Sequence, residues 1–141
     1  MSTGYSVTEL SVVVQFDAAS ETFSYSGDIH RGLIAVDSAQ AWISFSLVTV
    51  NGKPQVPDAV FLSGLPISFS DSARASLSFR VWLPPPTREQ TSLLMCDENR
   101  AAITHIPEHF EFRLHIAYDE RIFTAVEPAI LNRDLPLPAA M

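Results

Sequence analysis

The stretch Glu108-His-Phe-Glu-Phe-Arg-Leu-His-Ile-Ala-Tyr118 alternates apolar and polar side chains along its whole length. Successive side chains of an extended chain point to opposite faces, so a period of two indicates a strand that is buried on one face. The buried face would carry Phe110, Phe112, Leu114, Ile116 and Tyr118, and the solvated face His109, Glu111, Arg113 and His115. We therefore predict a half-buried β-strand over residues 108–118.

The same alternation recurs along the chain. It is clear in residues 10–16, 22–26, 41–50 and 74–82, and weaker in residues 29–36, 59–62, 66–70, 92–96, 101–106 and 122–126. The best helical stretch, residues 88–95, follows Pro84-Pro85-Pro86 and has room for one or two turns at most. Turn residues separate the segments at intervals of about 8–12 residues. The pattern predicts an all-β fold, a two-sheet antiparallel β-sandwich of immunoglobulin-like type with roughly 7–10 strands, or alternatively a closed barrel.

Length and composition indicate one domain with a packed core. The chain has 141 residues, of which 47% are hydrophobic and 18% charged, a balance that disfavours disorder. We expect residues 1–134 to form the domain. The Pro-rich segment 135–141 is expected to be an extended or disordered tail.

Net charge and cysteine content indicate which classes of partner and which compartment to expect. Nine Lys and Arg against sixteen Asp and Glu give a net charge of −7, the wrong sign for a surface that binds phosphates, so no nucleic acid is expected. Cys96 is the one cysteine and forms no internal disulfide. The first residues do not look like a signal peptide, and no apolar run is long enough for a membrane helix. We expect a cytoplasmic protein with no membrane partner.

Motifs for catalysis and metal binding are incomplete. His105-Ile-Pro-Glu-His109 matches an inverted zinc-peptidase pattern, but Pro107 opposes the helix which that chemistry needs. His109 and Glu111 share one strand face and are weak candidate metal ligands. The sequence contains no dinucleotide or P-loop motif, and we expect no cofactor and no catalytic constellation. A Cys96–His105 nucleophile pair stays open, although Asp97 and Glu98 oppose thiolate formation.

Trp42 and Trp82 fall on the outward faces of their predicted strands. An outward indole can stack on a sugar ring or on a partner surface, and it can also pack against a loop or a second subunit. The Ser- and Thr-rich outward positions around them are typical of a solvated sheet face and would equally suit a flat polar binding face. Trp42 and Trp82 are therefore the candidate ligand-binding residues.

The C-terminal region resembles a known family. An alternating strand and hairpin lead into Glu127-Pro128-Ala129-Ile130-Leu131-Asn132, which resembles the C-terminal signature of the DP-EP family of small bacterial β-sandwich proteins. Glu127, Pro128, Ile130 and Asn132 match its acidic-Pro-x-Ile-Ile-Asn-like segment, with Glu in place of Asp and Leu131 in place of Ile. The resemblance implies a sandwich fold and no particular activity. Physically, Pro128 would end ladder pairing, so that Ile130 and Leu131 cap the end of the sandwich.

Three classes of function remain. The absence of a catalytic constellation favours a non-enzymatic binding or self-assembly module. The alternatives are a carbohydrate-binding module that uses Trp42 and Trp82, and an enzyme whose site is built from dispersed loop residues such as His30 and His105. Mean hydropathy of +0.15 is high for an acidic soluble monomer, and a second copy could cover apolar surface across a twofold axis. We therefore expect a homodimer.

Overall fold

A computed structural model describes residues 7–82, 90–126 and 128–134 of the chain. These residues form strands and two single-turn helices. The strands are β1 (Val7–Asp17), β2 (Thr22–Gly27), β3 (Leu33–Val36), β4 (Gln40–Val50), β5 (Val60–Phe61), β6 (Ile67–Phe69), β7 (Phe79–Trp82), β8 (Ser92–Glu98), β9 (Glu108–Tyr118), β10 (Arg121–Ala125) and β11 (Ala129–Asn132). The helices are α1 (Ser72–Ala75) and α2 (Ala101–Thr104).

The strands form two sheets. Sheet I has the order β2-β1-β4-β8-β7, and sheet II is built around β9, which pairs with β5, β6, β10 and β11, while β3 pairs with β11. Each sheet contains one parallel pair, β1 with β4 in sheet I and β3 with β11 in sheet II. The prediction of an all-β sandwich is confirmed. The prediction of antiparallel sheets is wrong for the pairs β1–β4 and β3–β11, which are parallel, and the resulting mixed sheets are not clearly immunoglobulin-like.

Strand β9 organises sheet II. Its overlapping registers place β5 and β6 on one edge and β10 on the other, and a hydrogen bond from the Phe112 amide to the Pro128 carbonyl puts β11 on the β10 edge. Ala125 pairs with Leu114 and Ala129 with Glu111. The registers of β10 and β11 against β9 therefore differ by one residue. Pairing therefore resumes at Pro128 with a shifted register.

The core lies between the facing sheets. The inward side chains of β9 meet those of β1, β4 and β8, and the largest fully buried ones include Phe16, Phe45, Phe112, Leu114 and Ile116. Aromatic rings cross the gap between the sheets, as in the edge-to-face pair of Phe45 and Phe112, whose ring centroids are 5.9 Å apart. The alternation predicted for residues 108–118 is confirmed over the whole of β9. The sheets do not close into a barrel, and the described residues form eleven strands where seven to ten were predicted.

Two predicted strands are partly or wholly wrong. Residues 74–82 form a strand only from Phe79 onward, because Asp71 accepts a hydrogen bond from the Arg74 amide and starts α1. Residues 101–106 contain α2, whose first amide donates to the Asn99 side chain. In both cases a local side-chain bond to the backbone outweighs an alternating pattern of small residues.

A layer of buried polar side chains lies at one end of the sandwich. Asp97 of β8 is fully buried and accepts a hydrogen bond of 2.8 Å from the amide nitrogen of Asn132 in β11, so the pair joins the two sheets. Asn132 is in register with Glu108 of β9. Burial is the main reason why the pKa of Asp97 is raised to about 7, while the Asn132 bond lowers it and the charge of Glu108 raises it. Asn99 donates to the carbonyl oxygens of Ser38 and Arg133 beside this layer.

Candidate functional site

The two indoles meet on the outer face of sheet I. Trp42 of β4 is in register with Cys96 of β8, and Trp82 of β7 is in register with Leu94 of the same strand. The two side chains therefore project on either side of β8, on one face, and lean toward each other. Their ring centroids are 5.2 Å apart with an interplanar angle of 39°. Trp42 is half-buried, whereas Trp82 is 46% exposed. The structure thus brings the two candidate residues together as a tilted aromatic pair, of which Trp82 is the exposed member.

Cys96 of β8 is the register partner of Trp42. It points to the outer face of sheet I, between Trp42 and Arg80 in register, and yet only 2% of its surface is exposed. Burial raises the pKa of its thiol, and the nearby charges of Glu98 and Asp97 raise it further. Such a thiol reacts slowly. His105 is engaged elsewhere, with its Nδ1 atom 2.9 Å from a carboxylate oxygen of Asp134.

A shallow depression of about 250 Å³ lies beside Trp42. It is lined by one indole, two leucine side chains, two serine hydroxyls and one carboxylate. The residues are Glu9, Leu10, Ser11, Trp42, Ser44 and Leu94. The hydroxyl oxygens of Ser44 and Ser11 are 3.3 Å apart. Glu9 is exposed and in register with Trp42 across the parallel β1–β4 pair. The depression therefore presents an apolar surface and several polar groups to one ligand, as binding clefts do.

The outer face of sheet I also carries exposed aliphatic side chains that are separated from one another. Val7 of β1 is 56% exposed, Val13 of the same strand 37%, Val48 of β4 44% and Leu94 of β8 39%. Serines stand between them, since Val13 is in register with Ser46 and Leu94 with Ser44. The face is therefore mixed, with the indoles as its largest apolar element.

The weak metal candidates lie on the opposite side of the molecule. His109 and Glu111 point outward from β9 and are exposed, and their register partners in β11 are Leu131 and Ala129. Within the described ranges no group of three or more His, Cys, Asp and Glu side chains is placed to hold a metal ion. His105 ends α2 in a left-handed conformation with φ of 60°, so the two histidines of the zinc-like motif do not share a helical face.

The side chain of His115 has hydrogen-bond partners that the sequence pattern did not identify. Its Nε2 atom is 2.8 Å from the Ser68 hydroxyl of β6, and its Nδ1 atom is 3.1 Å from the Thr124 hydroxyl of β10. Ser68 is 47 residues from His115 in the chain, whereas Thr124 is 9 residues away across the β9–β10 hairpin, and both contacts depend on strand register. His30, the other histidine considered at the sequence level, forms a backbone bridge with Leu33.

The C-terminal residues that were expected to form a cap lie within sheet II. Ile130, Leu131 and Asn132 belong to β11, between β9 and β3, and Pro128 directly precedes it. Ile130 is fully buried, Leu131 is half-buried, and Asn132 joins the buried polar layer. Glu127 and the predicted tail 135–141 lie outside the described residues.

Comparison with known proteins gives no match, either to a protein-family model or to a curated protein. Within the described part of the chain, no helix is long and apolar enough to cross a membrane. The site therefore has to be interpreted from its own chemistry.

Proposed function

We propose that the protein is a binding module and that its ligand is a neutral carbohydrate held on the outer face of sheet I. The observation that carries this proposal is the exposed indole of Trp82, packed on Trp42 beside a depression lined by Ser11, Ser44 and Glu9. The underlying strands hold this surface in a fixed geometry, which lowers the entropy lost on binding.

The chemistry of the face suits a sugar ring. The apolar C–H face of a pyranose can pack on an indole, which offers a large rigid surface with little conformational entropy to lose. Serine hydroxyls both donate and accept hydrogen bonds, and a carboxylate accepts them from sugar hydroxyls. A net charge of −7 disfavours anionic polysaccharides.

The test is a titration of tryptophan fluorescence with neutral oligosaccharides, such as gluco-, xylo- and chito-oligosaccharides. We expect saturable binding that Trp82→Ala weakens by about tenfold or more, since loss of a central aromatic contact costs about 1–2 kcal/mol or more. Glu9→Gln keeps the shape and should weaken binding less. Ile122→Ala is the matched control, because Ile122 is an exposed apolar residue of sheet II. Absence of binding, or equal affinity of Trp82→Ala and Ile122→Ala, would contradict the proposal.

Self-assembly is a second candidate function, favoured by the exposed Val13, Val48 and Leu94 on the same face. A homodimer across this face would cover Trp82 as well. Sedimentation velocity over a range of concentrations separates the two functions. A dimer that Trp82→Arg dissociates supports self-assembly, whereas a monomer that binds sugar supports the carbohydrate module.

Three further assignments belong to the same proposal. We place the protein in the cytoplasm, since its single cysteine is buried and unpaired. A net charge of −7 disfavours nucleic acid as a partner, and the sequence has no dinucleotide or P-loop motif for a cofactor. The relationship to the DP-EP family rests on the C-terminal segment from Glu127 to Asn132.

A further inference from the structure

The outer face of sheet II contains a hydroxyl–imidazole pair that the binding function does not use. The Ser68 Oγ atom is 2.8 Å from Nε2 of His115, and the Thr124 Oγ1 atom is 3.1 Å from Nδ1 of the same ring. Both ring nitrogens of His115 are therefore engaged by side chains from the strands on either side. An activated serine nucleophile needs three groups: a hydroxyl that attacks, an imidazole that accepts its proton, and a third group that orients the imidazole.

Strand register fixes this arrangement. Thr124 of β10 is directly opposite His115 of β9, and Ser68 of β6 is directly opposite Arg113, so His115 reaches Ser68 diagonally. The backbone amide of His115 also donates to the Pro66 carbonyl and its carbonyl accepts from the Leu62 amide. Three paired strands thus hold the imidazole, whereas loop residues would hold it less firmly.

The charge state of His115 suits a base. Burial lowers the pKa of the imidazole, and the charge of Arg113 on the same strand lowers it further. Both effects favour the neutral form of the ring. In the tautomer that carries its proton on Nδ1, the ring donates to Thr124 and its Nε2 atom accepts from Ser68.

The edge strand that carries Ser68 borders a mainly apolar groove. A groove of about 290 Å³ lies at the open edge between β6 and β7, and Ser68 lines it together with mainly apolar residues: Leu65, Ile67, Phe69, Ala75, Phe79 and Val81. The Ser68 hydroxyl itself is beside His115, on the face of β6 opposite to Ile67 and Phe69. The exposed Arg113 is the register partner of Ser68 and is the cationic side chain beside it. A guanidinium can stabilise the oxyanion that forms at a carbonyl attacked by a serine, and Arg113 is the candidate for that role.

We propose that Ser68 and His115 hydrolyse carboxylic esters with apolar acyl chains, an activity that goes beyond the binding function and does not depend on it. The Ser68 oxygen bonds to the ester carbonyl carbon while its proton passes to Nε2 of His115. The ester C–O bond then breaks, and the alcohol leaves with that proton. Water attacks the acyl-serine, gives a proton to His115, and releases the carboxylic acid as Ser68 regains its proton. Arg113 stabilises the oxyanion, and Thr124 is a positioning residue.

The first experiment uses p-nitrophenyl esters of acetate, butyrate and octanoate with the full chain. Ser68→Ala should abolish turnover, and His115→Gln should lower kcat/KM by about 100-fold or more, the contribution typical of a general base. His109→Gln is the matched control, since His109 is exposed on the same face of β9. Equal rates for the wild type, Ser68→Ala and His109→Gln would overturn the proposal, as would a rate no higher than that of buffer.

A fluorophosphonate probe followed by peptide mass spectrometry tests the nucleophile itself. We expect one label, on Ser68, which the His115→Gln variant loses while its thermal unfolding curve is retained. Labelling at another residue, or equal labelling of the His115→Gln variant, would overturn the assignment.

Two further variants test the roles around the pair. Thr124→Val should lower kcat several-fold with little change in KM, and should move the acid limb of the pH profile, because Thr124 acts through His115. Leu65→Asn should raise KM for octanoate and not for acetate, since Leu65 lines the groove and is 51% exposed. A uniform loss for all substrates would count against the groove as the acyl site.

Discussion

Asp97→Asn should remove a large part of the pH dependence of the protein's stability. The carboxyl group of Asp97 is fully buried, and one of its oxygens has no hydrogen-bond partner among the described residues. Burial raises its pKa from 3.8 to about 7. Asparagine has the same shape, can keep the bond with Asn132, and is never ionised.

The sign and size of the effect of Asp97 on the free energy of unfolding follow from the difference between its pKa in the folded chain and its pKa in the unfolded chain. Between about pH 4 and pH 7 the folded chain keeps a proton on Asp97 that the unfolded chain has lost, so stability falls as pH rises through this window. The shift of about three units corresponds to about 4 kcal/mol at neutral pH and to roughly 2 kcal/mol near pH 5.5, at about 1.4 kcal/mol for each unit. Below pH 4 the wild type and Asp97→Asn should be nearly equal.

Urea unfolding at several pH values between about 4 and 8 measures this effect. We expect the free energy of unfolding of Asp97→Asn to exceed that of the wild type by a margin that grows with pH and levels off above about pH 7. Glu98→Gln is the control, since it removes an exposed carboxyl group from the same strand. Parallel stability curves for the wild type and Asp97→Asn would refute the reasoning, and so would a wild type that gains stability relative to the variant as pH rises.

Three further predictions concern packing and access. Leu114→Ala should lower the free energy of unfolding by about 2–5 kcal/mol in urea titrations, because Leu114 is fully buried between the sheets. Gly27→Ala should lower the melting temperature clearly, because a Cβ atom would lie 2.3 Å from the Ser11 carbonyl oxygen and φ is +95°. Native Cys96 should react with iodoacetamide far more slowly than in urea, because its thiol is buried and its pKa is raised.

The sequence predicts strands well where alternation is long and apolar. Residues 108–118 form β9 as predicted, because five large side chains on one face leave no other way to bury them. Residues 74–78 alternate with small side chains, so the bond of Asp71 to the Arg74 amide decides the local structure in favour of α1. Turn and cap chemistry therefore matters most where the apolar face is weak.

Long-range pairing is less accessible to sequence reasoning. Alternation predicts that Trp42 and Trp82 face outward, but it does not indicate that β8 separates them and lets their rings meet. The same holds for Ser68 and His115, whose contact depends on how β6 aligns with β9. A shift of one residue in that alignment would turn every side chain of β6 to the other face.

The parallel pair of β3 and β11 bears on how the chain folds during synthesis. The partners are separated by roughly a hundred residues, a high contact order that slows folding. All strands of sheet I precede β9 in the chain, so sheet I can leave the ribosome complete while its apolar inner face, with Phe16 and Phe45, is still uncovered. During synthesis the protein therefore passes through a stage in which sheet I is formed before sheet II can cover its apolar inner face. In that stage the chain is most prone to aggregation and to binding by chaperones.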